Sequence, residues 1–139
     1  MPHGNWIASR QKLERDVLIV TCAMSAGIHG ALVPEHLAEG AGPGGGFLAS
    51  TVLLTVLAAA LSLGAGERAV LGAIAVLTGL IVAYGLAVST GVPLLHPEVE
   101  PADGLGLFTK AVEAIGLAAA ITLLGRRARL LNPQERTST

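Results

Sequence analysis

The sequence predicts an all-α protein, a four-helix transmembrane bundle with antiparallel neighbours and both termini on the cytoplasmic side. Three observations carry that expectation. Of the 139 residues 52% are hydrophobic and 14% charged, with a mean hydropathy of +0.65, whereas a soluble domain carries about 25% charged residues. Four apolar stretches follow one another, each near the roughly 20 residues that a helix rising about 1.5 Å per residue needs to cross about 30 Å of hydrocarbon. Finally, the basic residues gather on one side of that pattern.

Residues 1–16 read as a cytoplasmic N-terminal segment, in which Asn5 caps a short helix from Trp6 to Arg15 with Trp6 at the interface. A cleaved signal peptide is the competing reading, since Arg10, Lys12 and Arg15 precede an apolar run. Glu14 and Asp16 in the charged region, and the lack of a small-x-small site directly after the run, speak against it. The transmembrane domain, 17–125, holds spans at about 17–37, 47–65, 69–90 and 105–125. Between them lie a glycine-rich loop from Glu39 to Gly46, a tight turn around Gly64 to Glu67, and a longer connection from Gly91 to Gly104 containing Pro93, Pro97 and Pro101. Glycine and proline punctuate there because the backbone can leave a helix only where water or protein satisfies its polar groups. The tight turn makes the second and third spans an antiparallel hairpin. Residues 126–139 form a cytoplasmic basic tail.

Orientation follows from lysine and arginine. Arg10, Lys12 and Arg15 precede the first span, Arg68 lies in the tight turn, and Arg126, Arg127, Arg129 and Arg136 follow the last, leaving Lys110 alone on the other side: eight of nine on one face. That face is cytoplasmic by the positive-inside rule, in a multi-pass protein of the plasma membrane. The outer connections carry Glu35, Glu39, Glu98, Glu100 and Asp103 with His36 and His96, for which a solvated rim is a sufficient account. Small residues recur every fourth position: Ala23, Gly27 and Ala31 in the first span, Ala75, Gly79 and Ala83 in the third, and Gly116 with Ala120 in the fourth. Since lipid removes the hydrophobic drive between helices, such stripes are expected to mark helix contacts.

Several function classes are excluded on composition and motif. A formal net charge of −1 with scattered basic residues argues against nucleic acid, and Cys22, the sole cysteine, allows neither an internal disulfide nor a CxxC site. There is no GxSxG, P-loop or HExxH, so no enzymatic chemistry is expected.

What remains is a set of ionisable residues at one depth. At about 100° per residue Cys22, Ser25, Ala26, His29 and His36 share a face of the first helix. His29 and His36 stand roughly 10 Å apart along it and cannot ligate one ion without a break at Pro34. Glu113, about two turns into the fourth span, is the strongest anomaly, because a carboxylate at depth costs several kcal/mol and is usually paired, protonated or functional. It shares its face with Gly106, Lys110, Gly116 and Ala120. His29, Tyr84 and Glu113 lie at similar depth, with Lys110 one turn from Glu113, so a buried polar cluster is expected, and His29 and Glu113 should face each other directly or across one water. Three accounts stay open. The cluster can be a hydrogen-bonded network that fixes helix register, with Lys110 neutralising Glu113 as an i,i+3 pair. It can relay protons. Or it can belong to a transition-metal site drawn from His29, His36, His96, Glu35, Glu39 and Glu113, with His36 and His96 approaching at the outer mouth. The alternative function is a non-catalytic accessory subunit, or a homo-oligomer, packing in the bilayer through the small-residue stripes.

Two stretches carry a likeness to known sequences: Ile28 through Pro34, Glu35 and His36 to Glu39, followed by Gly46 and Phe47, and Ser89 to Pro93 continuing through Val99 to Pro101 and on to Thr109 through Glu113. They resemble a group of small four-span membrane proteins of actinobacterial type, which pair an H-to-PEH end of the first helix with a TG-x-P segment and a Glu in the fourth. The resemblance covers most of Ile28 to Leu124. It implies that His29, His36, Pro93, Glu100 and Glu113 belong to the group's pattern, and it implies no activity. This chain departs from the pattern in having Leu94, Leu95 and His96 where the group has a Gly-Pro pair.

Overall fold

The computed structural model describes residues 5–91 and 99–131, in which four helices follow one another: α1 (Asn5–Glu39), α2 (Ala41–Ser62), α3 (Glu67–Ser89) and α4 (Gly104–Leu131). No strand occurs among the described residues. Every helix contains a stretch long and apolar enough to cross a membrane. Large apolar side chains cover the outside of all four, among them Val20 and Met24, Val52 and Val56, Val82 and Leu86, and Ile115 and Ile121. A continuous exposed belt of this kind is stable only against lipid, so the chain is a small multi-pass membrane protein.

The helices form a ring in which α1 packs on α2 and α4, and α3 closes it against the same two. Both termini of the bundle and the α2–α3 turn lie at one end, here the basic end. Gly40 and the segment 99–103 mark the opposite, acidic end. Two clamps secure the basic end. The Arg15 guanidinium donates to the carbonyls of Leu61 (2.9 Å from Nε) and Ser62 (3.3 Å from Nη2), satisfying the open C-terminus of α2. Arg126 donates to Glu14 at 2.8 Å and ties α4 to α1. Two of the basic residues at this end, Arg15 and Arg126, thus have a structural part in the bundle.

Three local expectations are corrected. The short N-terminal helix is not separate: α1 runs unbroken from Asn5, because Arg10 through Asp16 offers good helix formers and no breaker. It also continues through Pro34 to Glu39, as helices in lipid can when neighbours satisfy the freed backbone group. The glycine-rich segment is mostly helix, not loop. α2 begins at Ala41, with Pro43 in the first turn where its missing N–H is not needed, and Gly40 alone separates it from α1.

The third correction concerns the small-residue stripes. Ala23, Gly27, Ala31, Ala75, Gly79 and Ala83 are all exposed, and only Gly116 and Ala120 are buried. On α1 the competing face holds Ser25 and His29, roughly 160° away. Exposing those to hydrocarbon costs far more than exposing alanine, so the polar face turns inward. Gly116 is the contact that makes this possible: a Cβ there would overlap the Thr21 side chain, so its absence lets α4 close on α1.

The core divides along its length. Leu18, Leu61, Val70, Ala73, Ala120 and Leu123 fill the half toward the basic end, with Leu54, Leu77 and Cys22 above them. Of the buried polar residues, Ser25, His29, Thr109 and Glu113 lie toward the acidic end, and Thr21 lies one turn below Ser25, beside Cys22.

Candidate functional site

Four side chains from α1 and α4 form one line of hydrogen bonds closed by an ion pair. The Ser25 hydroxyl donates to Glu113 Oε1 at 2.7 Å. His29 Nδ1 lies 2.8 Å from the Ser25 carbonyl and 3.3 Å from its hydroxyl oxygen. A carbonyl only accepts, so Nδ1 carries the hydrogen and the Nε2 lone pair of the neutral ring is left for other use. At the far side Lys110 Nζ meets Glu113 Oε2 at 2.5 Å and also donates to the Leu80 carbonyl of α3 at 3.3 Å. Glu113 has no exposed surface, so both its oxygens are matched inside the protein. That is the condition under which a carboxylate is tolerated at this depth.

The expected i,i+3 pair of Lys110 with Glu113 is present. His29 and Glu113 are joined, but through Ser25, whose hydroxyl takes the place of the expected direct or water-mediated contact. Ser25 is legible as a member of the polar face of α1, one turn before His29, but its bridge to Glu113 depends on how α1 meets α4. Tyr84 comes to the same region without joining the line. Its ring lies under Lys110, 5.6 Å from Nζ, and its hydroxyl is buried with no hydrogen-bond partner among the described residues. That ring sits against Gly106, where a Cβ would come within 2.7 Å of Cε2.

Toward the acidic end His36 Nδ1 and Glu39 Oε2 pair at 2.7 Å. Phe47 of α2, absent from the expected site, stands between the two histidines: its ring stacks on His36 at 3.9 Å and tilts against His29 at 5.3 Å. Glu35 is exposed at the rim. The backbone N–H of Glu100 bonds to the Ala87 carbonyl at 3.0 Å, and Asp103 Oδ1 accepts from the Gly106 N–H at 2.6 Å, which holds this connection across the opening. His96 lies outside the described residues. Of the six residues expected as metal ligands, His36 and Glu39 therefore form one pair, His29 and Glu113 belong to the buried line, and Glu35 stands apart. No group of three or more His, Cys, Asp or Glu side chains converges among the described residues.

A chamber opens beside the line. Its first compartment, about 180 Å³, is bounded by His29, Glu35, His36, Glu100, Asp103 and Lys110; the second, about 210 Å³, reaches Leu80, Ala83 and Ala87. His29, Phe47, Tyr84, Glu100 and Lys110 line both. The line thus begins at an imidazole on the chamber wall and ends at a buried ion pair. Compared with protein-family models, with curated proteins and with solved structures, the chain matches none of them.

Proposed function

We propose that this protein is a membrane-embedded proton acceptor, loaded from the acidic end of the bundle, which the charge asymmetry assigns to the outside of the cell. The observation that carries the reading is the His29 bond to the Ser25 carbonyl, which leaves Nε2 as a lone pair on the chamber wall. A proton arriving through the chamber adds at Nε2. The imidazolium keeps its Nδ1–H bond to Ser25, and Glu113 lies one hydroxyl away as counter-charge. Below Ser25 the one further buried polar side chain among the described residues is Thr21, and beyond it Leu18, Leu61, Val70, Ala120 and Leu123 are apolar, so the same copy offers the proton no continuous polar path to the basic end. That supports a one-sided site, a sensor or a binding station, over a conducting pore. A transition metal is the weaker reading, because no three His, Cys, Asp or Glu side chains converge among the described residues.

The test is a pH titration of the ¹⁵N-histidine-labelled protein in nanodiscs, with His29→Phe to assign the signal. The groups around His29 are Glu35 and His36 of α1, Tyr84 of α3, Glu113 and Lys110 of α4, and Glu100 and Asp103 before it. The expected result is a reversible transition of the His29 nitrogens from neutral to imidazolium shifts as the pH is lowered from about 8.5. Shifts that stay constant down to the pH at which the protein unfolds would overturn the proposal.

A second reading, as a subunit of a larger or self-associated membrane assembly, is supported by the outward stripes on α1 and α3. A Cβ added at Gly27 or Gly79 meets nothing within 4 Å, so another helix has room to approach the backbone there. Gly27→Leu and Gly79→Leu should then abolish association, read as mass by light scattering, without changing the melting temperature of the monomer. Association that survives both variants removes this reading.

A further inference from the structure

The chamber beside His29 is small and its lining is specific. Each compartment, at about 180 and 210 Å³, falls below the roughly 300–1,000 Å³ of sites for drug-sized ligands. There is room for a handful of heavy atoms. The carboxylates of Glu35 and Asp103 line the first compartment, and the one ammonium there, Lys110, is already paired with Glu113. That balance selects a cation.

Two polar atoms on the wall await a partner. His29 is 7% exposed and its Nδ1–H is committed to Ser25, so its Nε2 lone pair has no hydrogen-bond partner among the described residues. The buried Tyr84 hydroxyl has none either. Of the remaining wall, the Thr109 and Ser50 hydroxyls donate to carbonyls of their own helices, and the rest is largely apolar or aromatic, with Leu80, Ala83 and Ala87 in the second compartment and the stacked Phe47 and His36 rings in the first. A transition metal wants several convergent donors, which the described residues lack. An alkali ion wants an oxygen cage and has no use for an imidazole lone pair or a hydrocarbon wall. An alkylammonium ion answers each feature: N–H donors for Nε2 and the Tyr84 oxygen, positive charge for the carboxylates and ring faces, and a short chain for the apolar compartment. Lys110 already shows this recognition within the chain, its ammonium held by a carboxylate, the Leu80 carbonyl and the Tyr84 ring.

We infer that the chamber binds a small primary alkylammonium ion, with its headgroup at His29 and Tyr84 and its tail along Leu80, Ala83 and Ala87. The inference rests on the reading of His29 Nε2 as the chamber's acceptor. It adds a competition, since a protonated His29 has no lone pair: amine binding is present where His29 is neutral and is lost as acidification protonates it.

The experiment titrates n-butylammonium chloride into the full-length protein in nanodiscs at about pH 8.5, above the ordinary imidazole range, by calorimetry and by the His29 ¹⁵N shifts. Saturable binding at one site with a shift at Nε2 is expected, falling about tenfold in His29→Phe and about threefold in Tyr84→Phe. Tetramethylammonium, which has no N–H, should bind at least about tenfold more weakly, and potassium chloride should leave the Nε2 shift unchanged. Absence of saturable binding to folded wild type, equal affinity for tetramethylammonium, or unchanged affinity in Tyr84→Phe overturns the inference, and the last criterion decides alone if His29→Phe does not fold. The ligand-free pH titration reads protonation separately. A His29 that fails to titrate sinks the proton reading while leaving the amine result at about pH 8.5 to stand or fall by itself.

Discussion

Lys110→Met preserves most of the side chain's length and apolar stem and deletes only the ammonium that faces Glu113 Oε2 at 2.5 Å. The carboxylate has no exposed surface, and the Ser25 hydroxyl continues to serve Oε1 alone. At an effective dielectric near 20 the attraction between unit charges at that separation is about 7 kcal/mol gross. Desolvation of both groups offsets much of it, and removing one partner of a buried pair costs about 3–5 kcal/mol net. Glu113→Gln should cost less, about 1–2 kcal/mol. Lys110 keeps 16% side-chain exposure and lines the chamber, so it can turn to the carboxylates there, while glutamine still accepts from Ser25. The double variant buries no lone charge and should resemble Glu113→Gln, giving a coupling energy of about 3 kcal/mol or more. Thermal unfolding in detergent reads all four proteins. For a chain of this size 1 kcal/mol corresponds to about 3–5 °C, so Lys110→Met should melt about 10–20 °C below wild type and recover most of that loss when Glu113→Gln is added. Single effects that simply add, or a Lys110→Met protein melting within about 3 °C of wild type, would refute the buried ion pair as the determinant of this site.

Ser25→Ala should cost about 1–3 kcal/mol by leaving Glu113 Oε1 without its donor, and it should remove any energetic coupling between His29 and Glu113 in a double-mutant cycle; coupling that persists would mean the two communicate without Ser25. Gly116→Ala forces a methyl into Thr21 and should cost about 1–3 kcal/mol in thermal unfolding, against a change within about 0.5 kcal/mol for Gly27→Ala on the open face; equal effects would contradict the inward and outward assignment of these glycines. In a Cys22→Ala background, an impermeant thiol reagent added to intact cells should label Ala102→Cys and spare Ser9→Cys, and the reverse pattern would invert the orientation of the bundle.

The fold was largely legible because lipid imposes one dominant constraint, and the four apolar stretches express it through length alone. Boundaries were harder. Gly40 through Gly46 has the composition of a loop, but a helix start tolerates Pro43, and tertiary contact with α1 outweighs the weak propensity of glycine. The site was legible where cost dictates position. Glu113 has to be buried and paired, and Lys110 one turn away is the nearest cation. Ser25 as the link and Phe47 between the histidines were not legible, since both depend on how α1 meets α4 and α2. The small-residue stripes misled for a related reason: spacing of four marks a helix face without saying whether that face meets protein or lipid, and on α1 the inward face was already claimed by Ser25 and His29.

The unbroken length of α1 has a mechanical consequence. At 35 residues it extends about 52 Å, well beyond the hydrocarbon thickness of about 30 Å. From His29 to Asn5 the same rod runs about 36 Å, so a tilt of about 5° pivoting near the chamber would carry the far end about 3 Å sideways. Asn5 through Asp16 thus form a lever whose short arm bears the polar line. It leans on its neighbours through the Arg15 and Arg126 clamps, and a rearrangement too small to change the bundle's outline would reach the basic face of the membrane as a displacement of the scale that partner proteins or lipid headgroups can register.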